Sequence, residues 1–379
     1  MRVDRPRLQA AADAAGLAAA PASMPATPAA PWWLPGGQSQ TIWPALFARS
    51  RAGEALRFRR ERWFTPDADF IDADWLVDDQ PAGRAADIGV VPHDEPHRPL
   101  LVLFHGLEGS SRSHYAQAFA DWARRNGWAM VLPHFRGCSG ELNLAPRAYH
   151  SGDHVEIGWM LAQARRARRG PVVAVGVSLG GNALLRWAEE AGHSAAAVVS
   201  AVAAVCSPID LAASGEAIGR GLNRLIYTPM FLRTMKPKAL AKLAQHPGLF
   251  DRERLLAART LRAFDNVFTA PLHGYRDTDD YWRRASAKPA LDDIRIPALV
   301  LNALNDPFVP AASLPRTMPP GSAVTLWQSA DGGHVGFASG AFPAQVTDLP
   351  DAVMAWMQAG LPRRPPAAAA AVEARSTHG

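Results

Sequence analysis

Short, continuous apolar runs recur along the chain at Leu100–Phe104, Trp128–Leu132, Pro171–Val177, Ala195–Val202, Ala298–Leu304 and Val324–Trp327. Between the earlier runs the period changes. Ser113–Asn126 puts Tyr115, Phe119 and Trp122 on one helical face and stops at Gly127. Asp153–Arg169 stops at Gly170, and Gly180–Ala191 carries Leu184, Leu185 and Trp187. Apolar residues at helical spacing, ended by glycine, predict amphipathic helices. Runs without alternation predict strands buried on both faces. Together they predict an α/β fold, with a mostly parallel central sheet and helices on both faces. Two earlier segments, Leu56–Phe64 and Phe70–Leu76, read as strands, and a last helix is expected over Ala344–Met357. In such sheets chemistry sits at the carboxyl ends of the strands.

One stretch breaks the rhythm. From Pro208 to about Ala290 the sequence is helical and basic, with Pro229, Pro237, Pro247 and Pro271 as punctuation. It falls between the fourth run and the next strand, so an inserted helical cap over the site is expected at about 208–290. The folded domain is then 31–361. The Ala/Pro-rich ends, 1–30 and 362–379, are expected to be disordered tails. Arg2, Arg5 and Arg7 precede an alanine run, but Asp13 and the scarcity of large apolar residues make it a poor signal-peptide core. No run reaches the roughly 18 apolar residues that a membrane span needs.

Composition narrows the function classes. With 379 residues, 48% of them hydrophobic, the chain can bury a large core. Its net charge of +5 is spread through 40 basic and 35 acidic residues. No basic stripe is interleaved with aromatics, so nucleic acid is not an expected partner. The only cysteines, Cys138 and Cys206, rule out a disulfide framework. Both read as buried packing residues, and they fit a reducing, cytoplasmic compartment. No H-E-x-x-H or comparable ligand set occurs, so no metal or other cofactor is expected.

The chemistry-bearing residues follow the runs. Gly176-Val177-Ser178-Leu179-Gly180 is G-x-S-x-G between a strand and a helix. In that context the sharp turn exposes the serine oxygen as a nucleophile and needs small residues around it, here Gly176, Gly180 and Gly181. This is the nucleophile elbow of the α/β-hydrolase fold. Leu179 then offers its amide at a helix N-terminus, and Leu107, in His105-Gly106-Leu107 after an earlier run, offers the second donor of an oxyanion hole. His105 itself reads as structural, lining the pocket floor. Asn305-Asp306-Pro307 and Gly332-Gly333-His334 follow the last two runs. The order Ser178, Asp306, His334 is that of this fold, with Asp306 orienting the imidazole and His334 as base. Asp210 competes as the acid, and His193, His246 and His273 compete as the base. His246 and Asp251 also form H-x-x-x-x-D, a spacing found in some acyltransferases, which chance explains among twelve histidines.

At these residues the chain resembles the YheT-like α/β hydrolases, bacterial relatives of eukaryotic membrane lipases and acylglycerol hydrolases. The resemblance rests on Pro31-Trp32-Trp33-Leu34-Pro35-Gly36-Gly37 with Gln40-Thr41-Ile42, on His105 to Ser110, and on Phe135-Arg136-Gly137-Cys138-Ser139-Gly140. It continues through Tyr149-His150-Ser151-Gly152, Phe264-Asp265, Thr269-Ala270-Pro271, His273-Gly274-Tyr275, Asn305 to Phe308 and Gly332 to Phe337. These pieces span Pro31 to Leu361. Gln38 stands where the family often has histidine. The resemblance implies carboxylic-ester hydrolysis by the same three residues.

The expected function is therefore a serine hydrolase cleaving short- to medium-chain acyl esters or lipids through an acyl-enzyme. An acyltransferase using the same intermediate and a non-catalytic relative that binds lipid or a partner are the alternatives. The Trp32-Trp33-Leu34 arm is expected to pack over the sheet edge. Lining an acyl pocket or touching a membrane surface are its other readings.

Overall fold

The structure is a computed structural model, and it describes residues 29–47, 56–77, 97–166 and 168–361. The expectations for the two tails fall almost wholly on residues 1–28 and 362–379, outside the described residues. In chain order the elements begin with helix α1 (Gly36–Phe47), strands β1 (Phe58–Phe64), β2 (Phe70–Leu76) and β3 (Leu100–Phe104), and helix α2 (His114–Arg125). Then come β4 (Ala129–Pro133), α3 (His154–Arg165), β5 (Val172–Val177), α4 (Leu179–Ala191) and β6 (Ala201–Val205). The insertion follows, with α5 (Leu211–Ile218), α6 (Gly221–Gln245), α7 (Arg252–Ala257), α8 (Leu261–Val267), α9 (Thr269–Leu272) and α10 (Thr278–Ala285). The chain closes with β7 (Ala298–Ala303), β8 (Val324–Ser329) and α11 (Asp348–Ala359).

The eight strands form one sheet in the order β1-β2-β4-β3-β5-β6-β7-β8. The β1–β2 and β2–β4 pairs are antiparallel and the rest are parallel. Every residue of β3 to β7 is buried, as their unbroken apolar runs require. One face is covered by α3 and α4 through Ile157, Leu161, Leu184 and Trp187. The other is covered by α2 and α11 through Phe119, Trp122, Val353 and Trp356. The β1 edge is charged. Arg60 and Arg62 there pair with Asp74 and Asp72 across to β2, at 2.7 and 2.8 Å, which blunts the strand against edge-to-edge pairing.

Three expectations shift. The fourth run was expected at Ala195–Val202, but Gly192–Ala197 is a 3-10 turn and the strand is Ala201–Val205. Alanine has little strand preference, and the strand sits where it can pair with both neighbours, Val173 to Val177 on one side and Ala298 to Leu301 on the other. The last helix begins at Asp348 rather than Ala344, with Asp348 and Asp351 in a first turn that favours negative charge. Pro229 and Pro237 do not break the cap; both lie inside the 25-residue α6.

Candidate active site

The elbow places Ser178 at the carboxyl end of β5 with φ 53° and ψ −121°, a left-handed conformation unusual outside glycine. The two glycines that follow Leu179 have no room for a side chain. A Cβ on Gly180 would come within 2.5 Å of the His105 carbonyl oxygen, and one on Gly181 within 1.9 Å of the Ser207 hydroxyl.

Residues distant in sequence meet at this serine. His334 Nε2 lies 2.9 Å from Ser178 Oγ, and His334 Nδ1 lies 2.8 Å from Asp306 Oδ2. The other Asp306 oxygen accepts the backbone N–H groups of Phe308 and Val309 at 2.7 and 3.2 Å. The Asp306 side chain is fully buried, while that of His334 keeps a little exposure toward the cavity. A carboxylate facing Nδ1 favours the tautomer that leaves Nε2 free to accept from the serine.

Leu107 and Leu179 line the cavity beside Ser178 and His334. Among the described residues neither backbone N–H has an acceptor. The Leu107 loop is held from both sides. The Gly106 N–H donates to Tyr115 Oη at 2.9 Å and the Glu108 N–H donates to Tyr149 Oη at 3.0 Å. Lys238 reaches down from α6 to the Glu108 carboxylate at 2.8 Å, so this loop is also tied to the cap.

The competing residues lie elsewhere. Asp210 caps α5 and pairs with Lys288 at 3.2 Å. Asp251 caps α7, and His246 bonds the Leu144 carbonyl. His193 is exposed on the 3-10 turn after α4. His273 packs 4.2 Å from the His150 ring, where burial pushes its pKa down to about 3. His105 does not line the cavity. It is fully buried beneath it, accepting the Phe135 N–H at Nε2 while Nδ1 faces the Gly106 carbonyl. Burial lowers its pKa to about 3, so it stays neutral. Burial also pushes the Cys138 thiol up to about 12, which favours its protonated form.

The sequence did not disclose how the N-terminal arm is used. Helix α1 braces the loops carrying both Asp306 and His334. Gln40 Oε1 accepts from Asn305 Nδ2 at 2.8 Å and from the Gly332 N–H at 2.9 Å. Thr41 Oγ1 accepts the His334 N–H at 2.8 Å. The contact is close enough that a Cβ on Gly37 would fall 1.8 Å from the Asn305 carbonyl oxygen. Leu34 is buried against Ala338 and Ala344, so the arm packs on the segment after His334 rather than over the sheet edge. Gln38 bridges to the cap, donating to Asn223 and accepting from Tyr227 Oη at 2.6 Å. The signal available in the sequence was the Gln40-Thr41 pair itself, without its partners.

The cavity above Ser178 holds about 150 Å³. Cap residues including Leu211, Ile218, Phe231, Met235, Phe264 and Phe268 form its apolar wall. Asp265 is the acid in that wall. It accepts from Thr269 and Trp282, and burial raises its pKa to about 6.

A mostly parallel sheet with a G-x-S-x-G turn after β5 and a helical segment inserted after β6 defines a class, and the sequence agrees with it. The signature of the alpha/beta hydrolase fold matches residues 99–341, and the chain belongs to the α/β-hydrolase family. Within that family it falls in the YheT-like branch, being 37% identical over 308 residues to the YheT protein of Escherichia coli (strain K12), across 79% of this chain and 84% of that one. It is also similar to phospholipase ABHD3 of Mus musculus, at 29% identity across 85% of this chain and 79% of the relative. A monoacylglycerol lipase of Saccharomyces cerevisiae matches at 28% identity over 63% of this chain and 55% of its own. No helix among the described residues is long and apolar enough to cross a membrane.

Proposed function

We propose that this α/β hydrolase cleaves carboxylic esters of short to medium acyl chains through a covalent acyl-enzyme. The observation that carries the reading is the Ser178–His334–Asp306 alignment, at 2.9 and 2.8 Å, on the floor of an apolar cavity. Ser178 Oγ attacks the ester carbonyl as its proton passes to His334 Nε2. Asp306 stabilises the imidazolium, and the Leu107 and Leu179 amides receive the developing oxyanion. Collapse breaks the ester C–O bond, and the alcohol leaves with the proton from His334. Water then attacks the acyl-enzyme, again giving its proton to His334, and the acid departs as Ser178 is restored. The names of the phospholipase and lipase relatives support an ester or lipid substrate. The free Cys138 and Cys206 support a reducing, cytoplasmic setting.

The cavity sizes the acyl group. An apolar space of about this volume takes a ligand near the size of benzene, about six carbons. Among p-nitrophenyl esters of two to twelve carbons, kcat/KM is expected to peak at about four to eight. A rate still climbing at twelve carbons would sink the cavity as the acyl site.

Gln40 is a positioning residue in this reading, since it holds the acid and base loops at one fixed separation. Gln40→Ala is expected to lower kcat by up to about 10²-fold through slight misalignment of His334. KM for a short ester stays unchanged, because Gln40 does not line the cavity. Steady-state kinetics beside a melting curve checks this. A variant that melts earlier but keeps the wild-type kcat makes the network merely structural.

A further inference from the structure

The cap helix α6 has two faces. Its inner face carries Phe231, Met235 and Lys238 into the cavity, and Tyr227 packs its ring 4.4 Å from Phe308, beside His334. Its outer face is apolar where a solvated helix would be polar. Leu222, Leu225, Ile226 and Met230 are all exposed, Leu225 at 75%. Their spacing places them along one side of the first three turns. Arg233, seven residues past Ile226, is exposed on the same side, and Arg224 is exposed on the helix flank. The helix contains basic residues at 224, 233, 236, 238 and 242 and no acidic residue at all.

The stripe does not stand alone. Gln38, bonded to Asn223 and Tyr227, ties α6 to α1, whose far end exposes Leu46 and Phe47. Trp43 there packs 5.4 Å from the exposed Phe342. Of the thirteen exposed large hydrophobic residues among the described ones, eight fall on α6, on the arm around α1, or at Phe342. Such clustering marks an interaction surface, whereas scattered exposed side chains do not.

We propose that the outer face of α6, with the aromatic arm beside it, docks this protein on an anionic lipid bilayer. An apolar stripe with arginines and without acids matches the two layers of that surface. The side chains enter the acyl boundary while the guanidinium groups meet the headgroup phosphates. A protein partner would bring its own carboxylates into contact with the arginines, but the stripe is joined through Gln38 to a helix that carries a Trp/Phe arm of the kind that sits at bilayer interfaces. Docking there places the helix that walls the cavity against the phase into which acyl esters partition. The inference rests on the ester-hydrolase reading for its purpose, though not for its measurement.

The test uses the full chain and large vesicles, either pure phosphatidylcholine or phosphatidylcholine with about three parts in ten of phosphatidylglycerol. Flotation of the wild type is expected to be at least about tenfold stronger on the anionic vesicles. The double variant Leu225→Glu with Met230→Glu is expected to lose that partitioning by about tenfold or more. Its turnover of soluble p-nitrophenyl butyrate should match wild type, since both side chains point away from the cavity. Wild type that fails to float on anionic vesicles overturns the proposal, and so does a double variant that floats as well as wild type. So does a wild-type dimer in solution that the double variant dissolves, because a second copy would then be the occupant. Ester turnover is read separately. Its failure in a protein that binds vesicles removes the hydrolase reading and leaves the docking surface.

Discussion

Ser178→Ala is expected to lower kcat for any ester substrate about 10⁶-fold. The reason lies in a single atom. Ser178 Oγ is the oxygen that faces His334 Nε2 at 2.9 Å, and alanine removes it while keeping the Cβ. The left-handed backbone at 178 is therefore no more strained in the variant than in wild type. Helix α4 and strand β5 keep their packing, so the melting temperature should not fall. The Leu107 and Leu179 amides, proposed as oxyanion donors, and the apolar cavity remain, so a residual rate above that in water is expected. The measurement is labelling by a fluorophosphonate together with p-nitrophenyl ester turnover, wild type against variant. Labelling that survives in the variant would move the nucleophile elsewhere and remove the proposed mechanism.

Asp306→Asn is expected to cost about 10⁴-fold in kcat with the fold intact. Asparagine retains one oxygen, which can still accept the Phe308 and Val309 amides that Asp306 accepts now. That arrangement turns an NH₂ group toward His334 Nδ1. The imidazole then answers with an unprotonated Nδ1 and carries its proton on Nε2. It can no longer accept from Ser178, and it loses the carboxylate that would stabilise its cation. Asp210→Asn serves as the comparison, because Asp210 caps α5 away from His334. Kinetics of both variants with one short ester decides the assignment. A loss of less than about tenfold at Asp306, or a larger loss at Asp210, would overturn it.

How much of this was legible in advance follows from what each feature depends on. Strands β3, β5 and β7 were readable to within a residue because a strand buried on both faces has nowhere to put a polar side chain. Strand β6 was misplaced because the stretch from Ala195 to Val205 is apolar throughout. Periodicity cannot locate a boundary in such a run, and pairing with β5 and β7 sets it. The prolines of α6 misled for a similar reason. A helix tolerates a missing N–H when packing on one face repays it, and that packing is tertiary.

The site divides the same way. The residue types and chain order of Ser178, Asp306 and His334 are local facts, each fixed by a motif at the end of an apolar run. Their roles could be proposed from the chain alone because a strand-end serine between glycines has few other uses. The sequence thus determined the fold class, the order of the buried strands and the candidates for the chemistry. Only the tertiary structure decided that Gln40 and Thr41, some 290 residues before His334, hold its loop. It also decided that α6 walls the cavity with one face and leaves Leu222 to Met230 bare on the other. A hydrogen bond between distant loops leaves no period in a sequence. A helix that is apolar on both sides looks the same in one dimension whether its second face meets protein, lipid or water.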